Sequence, residues 1–429
     1  MTDGADIIIK KEMSMRHVIV IGAGITGVTT AYELALLGYQ VTVVDQHLYP
    51  AMETSYANGG QLSACNAEVW NQKATVLKGL KWMSQKAAPL LLNPSFSMHK
   101  YSWLMEFMGN IRHYETNTRE TVKMALLARK RLFEIAEIEQ IEFDLEKRGI
   151  LHFYHTEQDY KVAMKVNDLL CSGGLERNAI SNEEIKQIEP TLTGDYYAGF
   201  FSRSDATGDI HKFTTGLAKA CADKGVLFLF GQNVQAVEQK DGYIRISCMP
   251  SSENSNTNPQ ERLELKADAI VVCAGVGSYQ LSYLLGDRVN VYPVKGYSIT
   301  VQLNDEQSQQ NAPWVSLLDE SAKIVLSRLG KDRLRIAGTA EFNGYNRDIR
   351  ADRIQPLIDW THRNFDISTE YVIPWTGLRP MMPDMMPVVR QGKHKRVFYN
   401  TGHGHLGWTL SAATAAMISQ QVAQTYPVA

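Results

Sequence analysis

Between His17 and Asp45 the hydrophobic pattern changes period twice. His17–Ile21 is an apolar, mostly β-branched run that reads as a buried strand; Ile25 to Leu37 carries apolar residues at helical spacing, with Gly38 placed to end the helix; Val41–Val44 reads as a second buried strand. Helical periodicity returns at Thr118–Gln140, as a solvated amphipathic helix, and at Phe213–Lys224, Arg350–Asn364 and Leu410–Thr425. Ile150–His155, Val226–Phe230 and Val234–Glu238 read as strands. So does the stretch Ala267–Ser278, whose apolar centre suits the sheet begun by His17–Ile21. That sheet is therefore assembled from segments far apart in the chain. From Tyr292 to Ala340 the pattern becomes β-rich with turns between, at Tyr297–Val301, Lys323–Ser327 and Arg333–Ala337, which predicts a separate antiparallel sheet.

The stretches between these elements are less regular. Thr54–Gln61 has loop composition, suited to a surface turn or to amides that contact a phosphate or planar ring. Lys73–Ile111 mixes lysines with Trp82, Met83, Trp103, Met105 and Phe107; it reads as helical packing on a second domain, or as a basic, aromatic surface touching a membrane. Residues 199–211 read as a loop holding Asp205, Asp209 and His211. An acid–histidine pair invites a catalytic reading, but Asp209 suits a helix cap and His211 a helix start. Ser251–Gln260 reads as a hairpin tip or mobile loop.

Composition narrows the classes. The 429 residues are 44% hydrophobic and 21% charged with a net charge of −2, enough chain for two domains and no electrostatic case for nucleic acid. Five scattered cysteines (65, 171, 221, 248 and 273) without C-x-x-C spacing argue against a disulfide framework or a metal site. Cys273 reads as a small buried hydrophobe. No apolar run approaches the roughly 18 residues of a membrane span. The expectation is a cytoplasmic protein, at most peripheral on the inner face of the cell membrane, with residues 1–15 an extension dispensable to the fold.

The first strand ends in Gly22-x-Gly24-x-x-Gly27, and the second closes on Asp45. Gly22 permits a tight turn, Gly24 lets the backbone approach a pyrophosphate, and Gly27 with Ala31 lets the helix pack against the sheet. Phosphates would meet the positive end of the helix, and Asp45 the ribose hydroxyls. Set between two strands, this pattern predicts an adenine dinucleotide, with the antiparallel sheet as a roof over it.

With GAGITG and Asp45 in place, the strings TSYANGGQ, SDATGDIHKFT, ADAIVVCAG, YPVKGYSIT, WTGLRPMMPD and NTGHGHLGWTL follow in an order that resembles the D-amino acid dehydrogenases, FAD enzymes of the glycine oxidase/D-amino acid oxidase group. The resemblance runs from about Arg16 to the C-terminus, and it is what selects FAD over NAD. It implies an α/β protein: a Rossmann-type FAD domain with a parallel sheet (16–75, 195–289, 385–429) and an α+β substrate domain on a large antiparallel sheet (76–194, 290–384). The chain departs from the family at His405, where a small hydroxyl residue is usual, at Asp384-Met-Met, where a PDG-like turn is usual, and in the absence of proline from Cys65–Trp70.

The implied reaction is hydride transfer from Cα of a D-amino acid to flavin N5, giving a 2-oxo acid and ammonia, with electrons passed to a quinone-type acceptor. Arg379 matches the carboxylate-binding arginine; Tyr297 and Lys323 match positions facing the same cavity, and His405 is expected to line it and favour a polar or acidic side chain. Implied contacts of a non-covalent FAD are Gly22, Gly24, Ile25, Thr26, Gly27, Asp45 and Gln46 near the phosphates and ribose. Thr54, Ser55, Asn58, Gly59, Gly60 and Gln61 follow on the loop, then Val234, Ala274 and Gly275. Gly402, Gly404, His405, Leu406, Gly407, Trp408 and Thr409 complete the set, the glycines lying close to the ring and the last helix presenting its positive end. His403 reads as structural, and His403 with His405 make a poor metal site. Two rival readings remain: an oxidase of the same fold that uses oxygen on glycine, sarcosine or a cyclic imino acid such as D-proline or hydroxyproline, and a non-catalytic flavin-binding subunit. Arg379 argues against the latter.

Overall fold

The computed structural model describes residues 15–74, 90–253 and 262–428. Residues 1–14, Trp82 and Met83, and most of Ser251–Gln260, for which the sequence raised expectations, lie outside them.

His17–Ile21 sits inside a six-stranded sheet, ordered Val388–Gln391, Val397–Thr401, Ala269–Val272, His17–Ile21, Gln40–Val44, Leu227–Leu229. All neighbours run parallel except the first pair. Its strands are apolar on both faces because both faces are covered. Val18 and Val20 pack toward the helices Ile25–Leu36, Ile210–Asp223 and Gly407–Thr425. Ile19 and Ile21, turned the other way by the pleat, pack on a small antiparallel sheet of Gln232–Gln239, Ile244–Pro250 and Leu263–Ala267.

The second sheet has nine strands. Along its main path they are Val372–Met381, Tyr292–Gln302, Arg333–Phe342, Ile324–Leu329, Ser316–Asp319, Ile150–Tyr154, Ala198–Ser202 and Asn178–Ser181, with Leu90–Leu92 beside Arg333–Phe342. It is antiparallel except where Ser316–Asp319 meets Ile150–Tyr154 and where Leu90–Leu92 joins. One face buries Ile299, Leu326 and Ile336 with Leu357 and Trp360 of the helix Ala351–Asn364. The other face roofs a cavity above the parallel sheet.

Two expectations change, and two hold. Residues 199–211 begin as strand Ala198–Ser202, because Phe200 is drawn into a core with Tyr154 and Tyr160, and Ala206–Thr207 pairs with Gln61–Leu62. Asp209 does cap the following helix, accepting the amides of His211 and Lys212. The helix Tyr114–Ile138 is not simply solvated: Ala128, Leu132 and Ile135 pack into the same core as the first and last helices. In Lys73–Ile111 the helix Met98–Gly109, capped by Ser97, buries Trp103 and Phe107 and exposes Met98, Met105 and Met108.

Candidate active site

A cavity of about 1210 Å³ lies between the two sheets, lined by the Gly22–Thr26 turn, the Glu53–Gln61 loop, the Thr401–Trp408 loop and the roof. Its volume exceeds the roughly 300–1,000 Å³ of an ordinary small-molecule pocket.

The glycine turn fits a pyrophosphate. Gly22 has φ +110°, and a β-carbon there would lie 2.6 Å from the carbonyl oxygen of Cys273; on Gly27 one would lie 1.8 Å from that of Gly22. The helix N-terminus carries no side-chain cap at Gly24 and no acid in its first turn, so it can receive an anion. Ser55 accepts the Ile25 amide at 3.0 Å and joins the Thr54–Gln61 loop to this turn. Asp45 is occupied locally: its oxygens accept the amides of Ala23 at 2.6 Å and His47 at 2.8 Å, and burial raises its pKa. It braces the turn whatever else it meets.

The loop is seated under the roof. Asn58 accepts the Gly60 amide, Thr54 donates to the Leu378 carbonyl, and a β-carbon on Gly59 would lie 2.8 Å from Val325. Gln46, Val234, Ala274 and Gly275 border the cavity; Gly27, Gly60 and Thr409 do not. Thr409 is buried behind the wall and accepts the Ser63 amide. Gly402 and Gly404 are explained by crowding from another side: with φ +76° and +60°, their β-carbons would meet Met382 at 2.5 Å and Met381 at 2.9 Å. Leu406, Gly407 and Trp408 bring the uncapped, acid-free start of the last helix to the cavity. His403 is structural: buried, bonded to Thr414, its pKa pushed down to about 3 by burial.

Arg379 lies in the roof with Nη1 donating to the Thr339 carbonyl at 3.1 Å. Burial lowers its pKa to about 10, and no carboxylate of the described residues pairs with it. A half-buried guanidinium without a carboxylate partner is left for an anion that a ligand could supply.

Tyr297 borders the cavity, as expected, but its side chain is engaged elsewhere. The register pairs Val294 with Arg379, Gly296 with Gly377 and Ser298 with Trp375, so these six share one face of the sheet. Tyr297, between them, sends its ring into the core with Leu357 and Trp360, and its hydroxyl donates to Glu341 at 2.7 Å. Lys323 borders the cavity but its ammonium is engaged by Glu320, whose charge raises its pKa.

His405 is also present at the cavity, stacked on Trp70 and bonded to the Asn66 carbonyl. Burial pushes its pKa down to about 4, which favours the neutral ring and disfavours a charge for an acidic side chain to meet, while leaving the polar side chains of the expectation open.

Several residues escaped the sequence reading because their partners are remote in the chain. Asp205, fully buried and paired with Arg129, accepts the amides of Ala64 and Cys65 and fixes the wall segment leading to Trp70. His47 sits 2.8 Å from Glu53 and 2.9 Å from Glu253, and those carboxylates hold it protonated, with a pKa of about 9. Arg347 reaches down from the roof to grip both oxygens of Glu53 at 2.7 and 2.8 Å. His152 lies 3.1 Å from Cys65 and 3.4 Å from Glu320. This resembles a nucleophile triad, but burial raises the thiol and lowers the imidazole to about 4, the reverse of activation.

The family model for FAD dependent oxidoreductases, DAO, matches residues 17–421. Proteins named D-amino acid dehydrogenase 3, from Mesorhizobium japonicum, and D-amino acid dehydrogenase, from Dechloromonas aromatica, are 55% and 38% identical, each over 96% of this chain and 98% of their own. Among solved structures, glycine oxidase from Bacillus cereus superposes with a TM-score of 0.69 at 17% identity, covering 95% of both chains. L-proline dehydrogenase from P. horikoshii gives 0.70 at 16%, over 96% of this chain and 94% of its own. At such identities these two structures speak to the fold alone.

Proposed function

The chain belongs to the DAO family of FAD-dependent oxidoreductases, with the D-amino acid dehydrogenases as relatives, and on that premise we propose that it deaminates D-amino acids oxidatively to 2-oxo acids and ammonia. The observation that carries the reading is Arg379: a half-buried guanidinium with no carboxylate partner among the described residues, in the roof of a cavity whose floor fits a dinucleotide.

FAD, when bound, supplies the two-electron acceptor for the Cα–H bond. The Gly22–Gly27 turn and first-helix amides would hold its pyrophosphate, Asp45 and Gln46 its adenosine side, and the Thr54–Gln61 and Gly404–Trp408 segments its ring. Arg379 would take both oxygens of the substrate carboxylate in its planar fork, which fixes Cα. The roof strands keep bulk water away from the reacting carbon. The start of the last helix opposes negative charge that develops beneath it. Tyr297 has no part in this scheme, and Lys323 belongs to the wall through Glu320.

The electron acceptor we propose is a quinone or comparable membrane carrier, reached by peripheral contact. No helix of the described residues is long and apolar enough to cross a membrane. The support is the apolar outer face of Met98–Gly109, where Phe96, Met98 and Met105 are 76%, 72% and 63% exposed.

The test is an anaerobic absorbance titration with paired D- and L-amino acids. The expected result is a yellow protein bleached by D- but not L-substrates, releasing no peroxide under air. Peroxide release would make it an oxidase; a protein that takes up no FAD would overturn the reading.

A further inference from the structure

We propose that His405 accepts a hydrogen bond from the substrate's α-amine, so that Arg379 and His405 together grip an amino acid by its carboxylate and its nitrogen. The proposal rests on the amino-acid reading above and adds a second point of attachment to it.

The ring of His405 is held in one orientation. It stacks on the indole of Trp70, centroids 4.9 Å apart and planes 22° from parallel, and its Nε2 lies 3.2 Å from the Asn66 carbonyl oxygen. A carbonyl only accepts, so Nε2 carries the hydrogen and Nδ1 carries a lone pair. Nδ1 has no protein hydrogen-bond partner among the described residues and is not among their sealed unpartnered atoms, and the residue itself lines the cavity. Other histidines nearby differ. His403 is buried and bonded to Thr414, His152 has its Nδ1 sealed 3.4 Å from Glu320, and His47 lies between two carboxylates.

The electrostatics agree with a neutral acceptor. Burial is the main cause of the low pKa, and the positive field of Arg379 adds to it. Both residues line the same cavity. That field also disfavours an ammonium beside them and favours the free amine. An open lone pair with no hydrogen cannot bind the carboxylate, so the two residues divide the substrate between them: the guanidinium takes oxygens, the imidazole takes an N–H.

The accounting is then closed. The zwitterion R–CH(NH₃⁺)–COO⁻ loses one proton to solvent on binding. One N–H of the resulting NH₂ points to Nδ1, which gains no proton. The nitrogen lone pair stays free to form C=N as the Cα hydrogen leaves with its electron pair to the oxidant, giving R–C(=NH₂⁺)–COO⁻. Water then releases the 2-oxo acid and ammonium.

The experiment uses two unreactive probes on FAD-loaded protein: 2-aminoisobutyrate, which has no Cα–H to lose, and isobutyrate, which lacks the amine. Binding is measured by calorimetry. The expected result is that His405→Leu weakens 2-aminoisobutyrate about 10-fold more than isobutyrate, the scale of one lost hydrogen bond. His405→Gln, with an amide oxygen that can accept, should recover part of the difference. Equal weakening of both probes would mean that His405 only supports the wall, and would overturn the proposal. So would a parent protein that fails to distinguish them. If D-amino acids bleach the flavin while the probe ratio ignores His405, only this assignment falls; if no amino acid binds or bleaches, the reading it rests on falls first.

Discussion

Arg379 lies directly over Gly296: a β-carbon on that glycine would sit 2.3 Å from the guanidinium Nη1. The two strands meet in register with Gly296 opposite Gly377, leaving a bare strip of backbone along which the arginine extends. Gly296→Ala should therefore displace the guanidinium without touching any group in the FAD site. The expected effect is a fall in kcat/KM of about 10- to 100-fold with FAD content retained, since a displacement near 1 Å can cost that much. Unchanged kinetics would show that Arg379 does not hold the substrate.

Arg379→Lys separates charge from shape. Each charge-assisted hydrogen bond is worth about 1.5–3 kcal/mol, and an ammonium cannot match a carboxylate's two oxygens. Steady-state kinetics should show a loss of about 10-fold or more for Arg379→Lys and a larger one for Arg379→Ala.

Tyr297→Phe gives the contrast. The hydroxyl serves Glu341, beside Lys295 and Arg350, on the far face of the roof. Thermal unfolding should show a cost of about 1 kcal/mol, while KM for the amino acid stays the same. A raised KM would give the Tyr297 hydroxyl a part in substrate binding.

The clasp of His47, Glu53 and Arg347 should make closure depend on pH. His47 is raised to about 9 in the folded protein from an ordinary 6.5, so its contribution is complete below about pH 6.5 and lost as pH rises through about 9. Glu53 is lowered, chiefly through its bonds to His47 and Arg347 against the cost of burial, so its share is lost on acidification. FAD release during melting should therefore accelerate above pH 8 in the parent, and His47→Gln should flatten that limb.

The face of Phe96, Met98 and Met105 can be tested with lipid vesicles. A triple serine variant should lose co-sedimentation while keeping activity with a soluble dye acceptor. Equal sedimentation of both proteins would remove the membrane contact.

Much of this molecule was legible in the chain. The strand–glycine–helix–strand unit at His17–Asp45 is local: its signals of period, turn and cap all lie within one short stretch, and the structure keeps them. The same is true of the Asp209 cap and of the β-rich register of Tyr292–Ala340. Family resemblance, a pattern of strings in order, supplied FAD and pointed to Arg379.

What the sequence could not decide was direction. Tyr297 and Arg379 sit in strings equally characteristic of the family, but a strand sends neighbours to opposite faces, and only the pairing of Tyr292–Gln302 with Val372–Met381 says which face meets the cavity. Nor could it show that His405 would be neutral, since that follows from burial and from Arg379, or that Asp205, Glu53 and Arg347 would meet partners hundreds of positions away or across the cleft. Periodicity is a property of neighbours along the chain. Charge state, pleat direction and the company a side chain keeps belong to neighbours in space, which is why the tertiary structure alone settled them.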